Sequence, residues 1–337
     1  MRVKRTIKVL IVDDSLLFRE ILAKGISSDA NIEVVAKAVD PFDARDKILT
    51  YHPDVMICDV EMPKMNGIEF IRRLLPQYIL PIIVVSSVSG AVFDAMDAGA
   101  VDFVSKPEIQ SPHNLDDFMR DLIVKIKIAS VSKVKLPRMI SKKPSGAVKK
   151  VNRIIAFGAS TGGTEALLNI LQSLPPTMPG ILITQHIPPG FSRMFAERMN
   201  NLTQLNVKEA EQGDLLEQGK VLVAPGGKHM KVKKIGGRYI VDVQEGEKVN
   251  GHCPSVDVLF ESVAKEAGSN AIGVILTGMG QDGAKGLLSI RQKGGRTIGQ
   301  DEESSVVYGM PKAAQNLGAV EKQSPLNRIP QLLLSLL

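Results

Sequence analysis

Five short apolar runs recur along the first 130 residues: Val9–Val12, Ile32–Ala36, Val55–Cys58, Ile82–Val85 and Val101–Val104. They are rich in Val and Ile. The segments between them carry apolar residues at helical spacing, as in Leu16-Leu17…Ile21-Leu22 and Ile68…Ile71…Leu74-Leu75. A continuous apolar run predicts a strand buried on both faces, and strands alternating with helices predict a parallel sheet covered by helices. The pattern resumes after residue 153. Strands are predicted at Arg153–Phe157, Gly180–Thr184 and Ala271–Leu276, and the first is followed by a helix carrying Leu167-Leu168, Ile170-Leu171 and Leu174. The stretch KVKKI-GG-RYIVDV predicts a hairpin turning on Gly236-Gly237.

A chain of 337 residues exceeds what one hydrophobic core usually serves, so two domains are expected. Charge locates the joint. The whole chain carries +6, yet residues 131–153 hold eight Lys and Arg and no acidic residue. Each flanking region is therefore near neutral. The stretch VSKVKLPRMISKKPSGAVKKVNR also carries Pro, Gly and Ser and reads as a flexible basic linker. The expected organisation is a first domain over 1–130, a linker over 131–153 and a second domain over 154–337. Two Cys form no disulfide framework, which points to a reducing cytoplasmic setting. The apolar start is too short for a signal peptide core, and no run is long enough for membrane insertion.

The carboxyl ends of the first five strands bear Asp13-Asp14, Asp59, Ser86-Ser87 and Lys106. Functional groups of such sheets collect at that edge. Three carboxylates held together repel one another unless a cation joins them, and oxygen ligands suit a hard ion such as Mg2+. Helix capping by a strand-end aspartate is the bland alternative, open to Asp14 but not to Asp59 or Lys106. Five units of this kind match the flavodoxin-like arrangement. The Asp13-Asp14 pair, Asp59 in CDVEMPKMNG, Ser86 in VVSS and Lys106 in SKP resemble a response-regulator receiver domain over about residues 5–128. The resemblance implies that Asp59 accepts a phosphoryl group from a histidine kinase. It implies Mg2+ held by Asp14 and Asp59 with help from Asp13 and the Glu61 carbonyl, and phosphoryl oxygens bound by Ser86 and Lys106.

In the second domain, GASTGGTEALL sets Ser160 in a glycine-rich strand-to-helix turn marked by Gly158, Gly162 and Gly163. A serine there is exposed beside a helix N-terminus, the setting of an activated nucleophile. A phosphate-binding loop and a purely structural turn compete for the same pattern. The next strand ends add His186 after GILIT and Asp282 after AIGVIL. In a parallel sheet all three lie on one edge, which gives Ser160, His186 and Asp282 a geometric reason to meet as a catalytic triad. The remaining histidines are weaker candidates: His52 beside a strand, His113 in a polar loop, His229 opening the hairpin, and His252 as a substrate contact or a hydrogen-bonded structural residue. Cys253 with His252 and His229 matches no common zinc spacing.

The segments GASTGGTEAL, QHIPPGFS, APGGKHM, HCPSVDVLF, TGMGQDGAKGL and ESSVVYGMPKAA resemble the catalytic domain of chemotaxis protein-glutamate methylesterases. With the receiver, the likeness covers nearly the whole chain outside the linker. It implies a Rossmann-like α/β esterase domain carrying a β-hairpin, so that the chain holds two doubly wound parallel-sheet domains. It implies Ser160 as nucleophile, His186 as general base, Asp282 as its orienter, and backbone N–H groups near Thr161 and Met279 as the oxyanion hole. The implied reactions are hydrolysis of glutamate γ-methyl esters on methylated chemoreceptors and deamidation of receptor glutamines, with no cofactor for ester hydrolysis. The chain departs from the family pattern at Cys253, often Arg, and at Gly227, often acidic. The tether suggests a receiver that inhibits the esterase until Asp59 is phosphorylated, and the resemblance implies a chemotaxis histidine kinase as the phosphodonor. A DNA-binding response regulator is the alternative. It needs a helix-turn-helix output, whereas residues 154–337 read as strand-helix units, so no nucleic-acid partner is expected.

Overall fold

The computed structural model describes residues 6–132 apart from 64, 88 and 108–111, residue 134, and residues 153–337. Most of the expected linker over 131–153 thus lies outside the described residues. The chain divides into two compact units, Met1–Arg138 and Met139–Leu337.

The first unit alternates strands and helices: β1 (Ile7–Val12), α1 (Leu16–Ile26), β2 (Ile32–Ala38), α2 (Pro41–Tyr51), β3 (Val55–Asp59), α3 (Gly67–Leu74), β4 (Ile82–Ser86), α4 (Ser89–Asp97), β5 (Asp102–Ser105) and α5 (Pro112–Ala129). The sheet runs β2-β1-β3-β4-β5, and every pairing is parallel. That order is the flavodoxin-like one. The strands are apolar throughout because both faces are covered; Val9 to Val12 and Ile82 to Val84 are fully buried. Helix starts are encoded locally. Ser15 caps α1, Asp40 caps α2 through two amides, and Asn66 caps α3. The α1 cap is therefore Ser15 and not Asp14, whose side chain stays exposed. His113 falls inside α5 and not in a loop. Pro112 opens that helix, at a position where its missing N–H costs nothing.

The second unit contains β6 (Ile154–Ala159), α6 (Gly163–Leu171), β7 (Ile181–Gln185), α7 (Phe191–Leu202), β8 (Asn206–Glu209), β9 (Leu215–Leu216), β10 (Lys220–Val223), β11 (His229–Ile235), β12 (Arg238–Gln244), α8 (Val256–Ala267), β13 (Ala271–Ile275), α9 (Ala284–Gln292), β14 (Arg296–Gln300), α10 (Met310–Asn316), β15 (Lys322–Ser324) and α11 (Ile329–Ser335). Seven strands form one parallel sheet in the order β15-β14-β13-β6-β7-β10-β8. After β6 the chain builds outward through β7, β8 and β10. It then crosses to the other side of β6 for β13, β14 and β15. This reversal opens a crevice at the carboxyl end of β6, the usual place for a site in an open α/β sheet.

The expected hairpin is β11–β12, turning on Gly236 (φ 57°) and Gly237 (φ 80°), and β9 extends it to three antiparallel strands. Its apolar residues Met230, Val232 and Val241 share a core with Val256, Leu259, Phe260 and Val263 of α8. Gly158 lies inside β6 and not in the turn. Its hydrogen faces α8 so closely that a Cβ would sit 2.1 Å from Val256 Cγ1. The C-terminal α11 buries Ile329 and Leu333 as a core-covering helix.

Candidate active site

Ser160 follows β6 directly and His186 follows β7 directly. The last register pair of those strands is Ala159 with Gln185, so the two residues sit side by side one step beyond it. Adjacent strands lie about 4.8 Å apart, which sets the spacing of these two backbones. Hydrogen bonds fix them there. The His186 N–H donates to the Ala159 carbonyl at 3.1 Å, and Gln185 Nε2 donates to the Ser160 and His186 carbonyls at 2.9 and 3.1 Å. On the other side the Ser160 N–H donates to the Thr277 carbonyl, just past β13, at 3.0 Å. Ser160 is half-buried at the mouth of the crevice. Gly162 makes the turn into α6 with φ 75°, a conformation that favours glycine.

Asp282 lies in the loop between β13 and α9. Its Oδ2 is 2.8 Å from His186 Nε2, and both side chains are buried. Four further donors converge on the same carboxylate: the Ser255 hydroxyl at 2.7 Å, Asn250 Nδ2 at 2.8 Å, and the Val256 and Asp257 N–H groups at 2.7 and 3.2 Å. Val256 and Asp257 are the first residues of α8, so Asp282 takes the place of a cap on that helix. Burial alone would raise the Asp282 carboxyl, but hydrogen bonds from His186, Asn250 and Ser255 hold it well below the usual carboxylate range. Asp282 is an anion fixed in position. With the Nε2 proton directed to Asp282, the lone pair of neutral His186 lies on Nδ1. That atom is buried and has no hydrogen-bond partner among the described residues.

Thr161 is buried, and its carbonyl accepts from Thr277 Oγ1 at 3.0 Å, which ties the start of the α6 turn to the end of β13. Gly278 packs directly against Ser160, since a Cβ on it would come within 2.7 Å of Ser160 Cβ. Met279, the next residue, is therefore beside Ser160 on a loop anchored where the Gly309 and Met310 N–H groups donate to the Gly278 carbonyl. His252 is stacked on His186, with ring centroids 3.7 Å apart and planes 11° from parallel. Burial, then the proximity of His186, pushes the His252 pKa down to about 4.

Asn250, Ser255 and the α8 N-terminus are absent from the sequence expectations. The Asn-Gly dipeptide at 250–251 and the serine before an apolar helix were the available signals. His229 uses both ring nitrogens, one near the Glu247 carbonyl and one receiving the Ser255 N–H. That leaves no nitrogen for zinc.

The first unit gathers its own constellation. Ligand oxygens of Asp13, Asp14 and Asp59 lie within 4.8 Å of one another, and among the described residues this is the one grouping of acidic, His or Cys side chains able to hold a metal ion. Lys106 Nζ donates to Asp59 at 2.7 Å and to Asp13 at 3.0 Å. Burial raises the Asp59 carboxyl, and Lys106 offsets this only in part. Burial works against the Lys106 charge, but the two carboxylates outweigh it and keep the ammonium raised. The Glu61 N–H donates to Asp59 at 3.3 Å, while its side chain accepts from the Ser87 hydroxyl. Ser86 is fully buried at the end of β4. Gly67 lets α3 start against β3, since a Cβ there would lie 2.1 Å from the Asp59 carbonyl oxygen. Cys58 is buried core, with its thiol raised by desolvation.

A family model described as CheB methylesterase matches residues 155–333, and one described as response regulator receiver domain matches residues 9–116. The chain is 57% identical over 339 residues to protein-glutamate methylesterase/protein-glutamine glutaminase 2 of Syntrophomonas wolfei, covering all of this chain and 99% of that one. It is 44% identical to the protein-glutamate methylesterase/protein-glutamine glutaminase of Salmonella typhi, covering 98% of this chain and 96% of that one. Among solved structures, the CheB methylesterase catalytic domain of Thermotoga maritima aligns with TM-score 0.54 and 38% identity, covering 55% of this chain and 98% of that one. With relatives this similar over its full length, the chain belongs to the CheB methylesterase family, joined to a response-regulator receiver domain.

Proposed function

We propose that the chain is a serine hydrolase of chemotaxis adaptation, acting on glutamate γ-methyl esters and glutamine amides of chemoreceptors, with Ser160, His186 and Asp282 as its triad. The observation that carries this is the buried 2.8 Å contact between His186 and Asp282 at the strand edge where Ser160 emerges. In this reading His186 Nδ1 takes the Ser160 proton as Oγ attacks the γ-carbonyl carbon. Asp282 steadies the imidazolium that forms. N–H groups near Thr161 and Met279, with the N-terminus of α6, receive the oxyanion. Collapse of the adduct expels methanol, or ammonia from an amide, with the proton returned by His186. Water, deprotonated by the same nitrogen, then hydrolyses the acyl-enzyme. One site thus serves both leaving groups.

The receiver supplies the control. Asp59 is the proposed phosphoacceptor, with Lys106 and Ser86 as the groups that meet the phosphoryl oxygens. The donor set fits a hard divalent ion: three carboxylates converge, and Asp13 and Asp59 are buried with Lys106 as a partner. Asp13, Asp14 and Asp59, with the Glu61 carbonyl, would hold Mg2+, which supplies positive charge against the transferred group. The phosphodonor is a chemotaxis histidine kinase, the basic stretch 131–153 is a tether between domains 1–130 and 154–337, and the unphosphorylated receiver inhibits the esterase. No described helix is long and apolar enough to cross a membrane. The expected setting is the cytoplasm. The second unit is a parallel α/β sheet, which disfavours the DNA-binding alternative. Methanol release from methylated receptor membranes, with and without a small phosphodonor, tests the whole proposal. Stimulation is expected in the native chain and absent in Asp59→Asn.

A further inference from the structure

We propose that the turn Val249–His252 is a positioning device for the catalytic pair, in which Asn250 fixes Asp282 and His252 fixes His186. This rests on the triad reading above and adds two residues to it.

The turn is locally encoded. Val249 and His252 exchange two backbone hydrogen bonds of 3.0 Å around Asn250 (φ 54°) and Gly251 (φ 84°). Two consecutive positive φ angles define the tight turn for which Asn-Gly is the preferred pair. Once formed, it carries two side chains to the site, Asn250 from the turn itself and His252 from the bridge that closes it.

Asn250 Nδ2 donates to Asp282 Oδ1 and to Asp257 Oδ2, each at 2.8 Å. Both carboxylates are buried. The amide thus spends one hydrogen on each of two like charges that would otherwise repel. On Asp282 it joins Ser255 and Asp257 at Oδ1, while His186 shares Oδ2 with the Val256 N–H. His252 covers one face of the His186 ring. A half-buried ring there limits rotation of His186 and keeps water from its face. The charged and titratable groups acting on His252 are His186, Asp282 and Lys248, and burial dominates them in keeping His252 neutral. The positive charge formed during catalysis therefore stays on His186. Neither residue is assigned a bond to the reacting atoms, so both are positioning residues.

The test uses the full chain and steady-state methanol release. Asn250→Gly removes the amide and keeps the turn, because glycine accepts positive φ. Its kcat is expected to fall about tenfold or more with KM within about twofold, the pattern of a misplaced catalytic group. His252→Ala is expected to fall similarly, while His252→Phe, which restores a flat ring, recovers to within about threefold of native. Native kcat in both Asn250→Gly and His252→Ala, alongside an inactive Ser160→Ala, overturns the proposal and leaves the triad standing. Equal losses in His252→Phe and His252→Ala overturn the stacking half. Activity retained in Ser160→Ala overturns the triad and this proposal with it.

Discussion

His186 meets Asp282 through Nε2, at 2.8 Å, which leaves Nδ1 as the nitrogen that the proposed triad uses as its base. Asp282 is also the hub of a network that caps α8, and this gives its substitution two separable effects. Asp282→Asn is expected to lower turnover about 10³–10⁴-fold, because the amide no longer steadies the imidazolium. It also turns an NH2 group toward N–H and O–H donors, which costs about 1–3 kcal/mol of stability. Methanol release and urea unfolding of the same sample separate the two.

Stability carries a pH signature from His252. Its pKa is about 4 in the folded protein against 6.5 unfolded, so the unfolded chain binds the extra proton between those values. Stability therefore rises with pH across that window and is lost as pH falls through it. His252→Phe removes this component. The native-minus-variant difference in urea midpoint is expected to grow more negative from pH 6.5 toward pH 4; a flat difference contradicts the assignment.

Gly158→Ala is expected to act at a distance. The added methyl group meets Val256 at the start of α8, whose N–H donates to Asp282. Overpacking at such a site costs about 1–3 kcal/mol. Loss of both stability and kcat is the predicted outcome, read by thermal unfolding and methanol release.

Chelation separates the two units chemically. With EDTA present, phosphorylation by a small phosphodonor is expected to stop, while basal ester hydrolysis continues, since no step of the triad uses a metal ion. Lys106→Ala is expected to weaken the phosphorylation response without touching basal hydrolysis.

The two sites were legible in the sequence to different depths. Strand ends are read from apolar runs, and a parallel sheet brings them to one edge, so the places of Asp13, Asp59, Lys106, Ser160 and His186 are legible in the pattern, while Asp282 lies in the loop beyond β13 and stands out by residue type. Strand order needed the structure, because the crossing from β10 to β13 leaves no local mark. Asn250 and Ser255 were hidden for another reason. They reach Asp282 across roughly 30 residues of chain, through a turn and a helix start whose local signals name the element but not its neighbour. Gly158 stands beside the glycines of the turn in the sequence, but the close approach of α8 is what requires it.

The proposed function makes Ser160 the nucleophile and Asp59 only the switch. It is tested most directly by methanol release from methylated receptor membranes with native protein and Ser160→Ala, each with and without a phosphodonor. The prediction is release in the native chain, stimulation by the phosphodonor, and loss of release in Ser160→Ala although Asp59 is still phosphorylated. Methanol release by Ser160→Ala at a rate near native would contradict it.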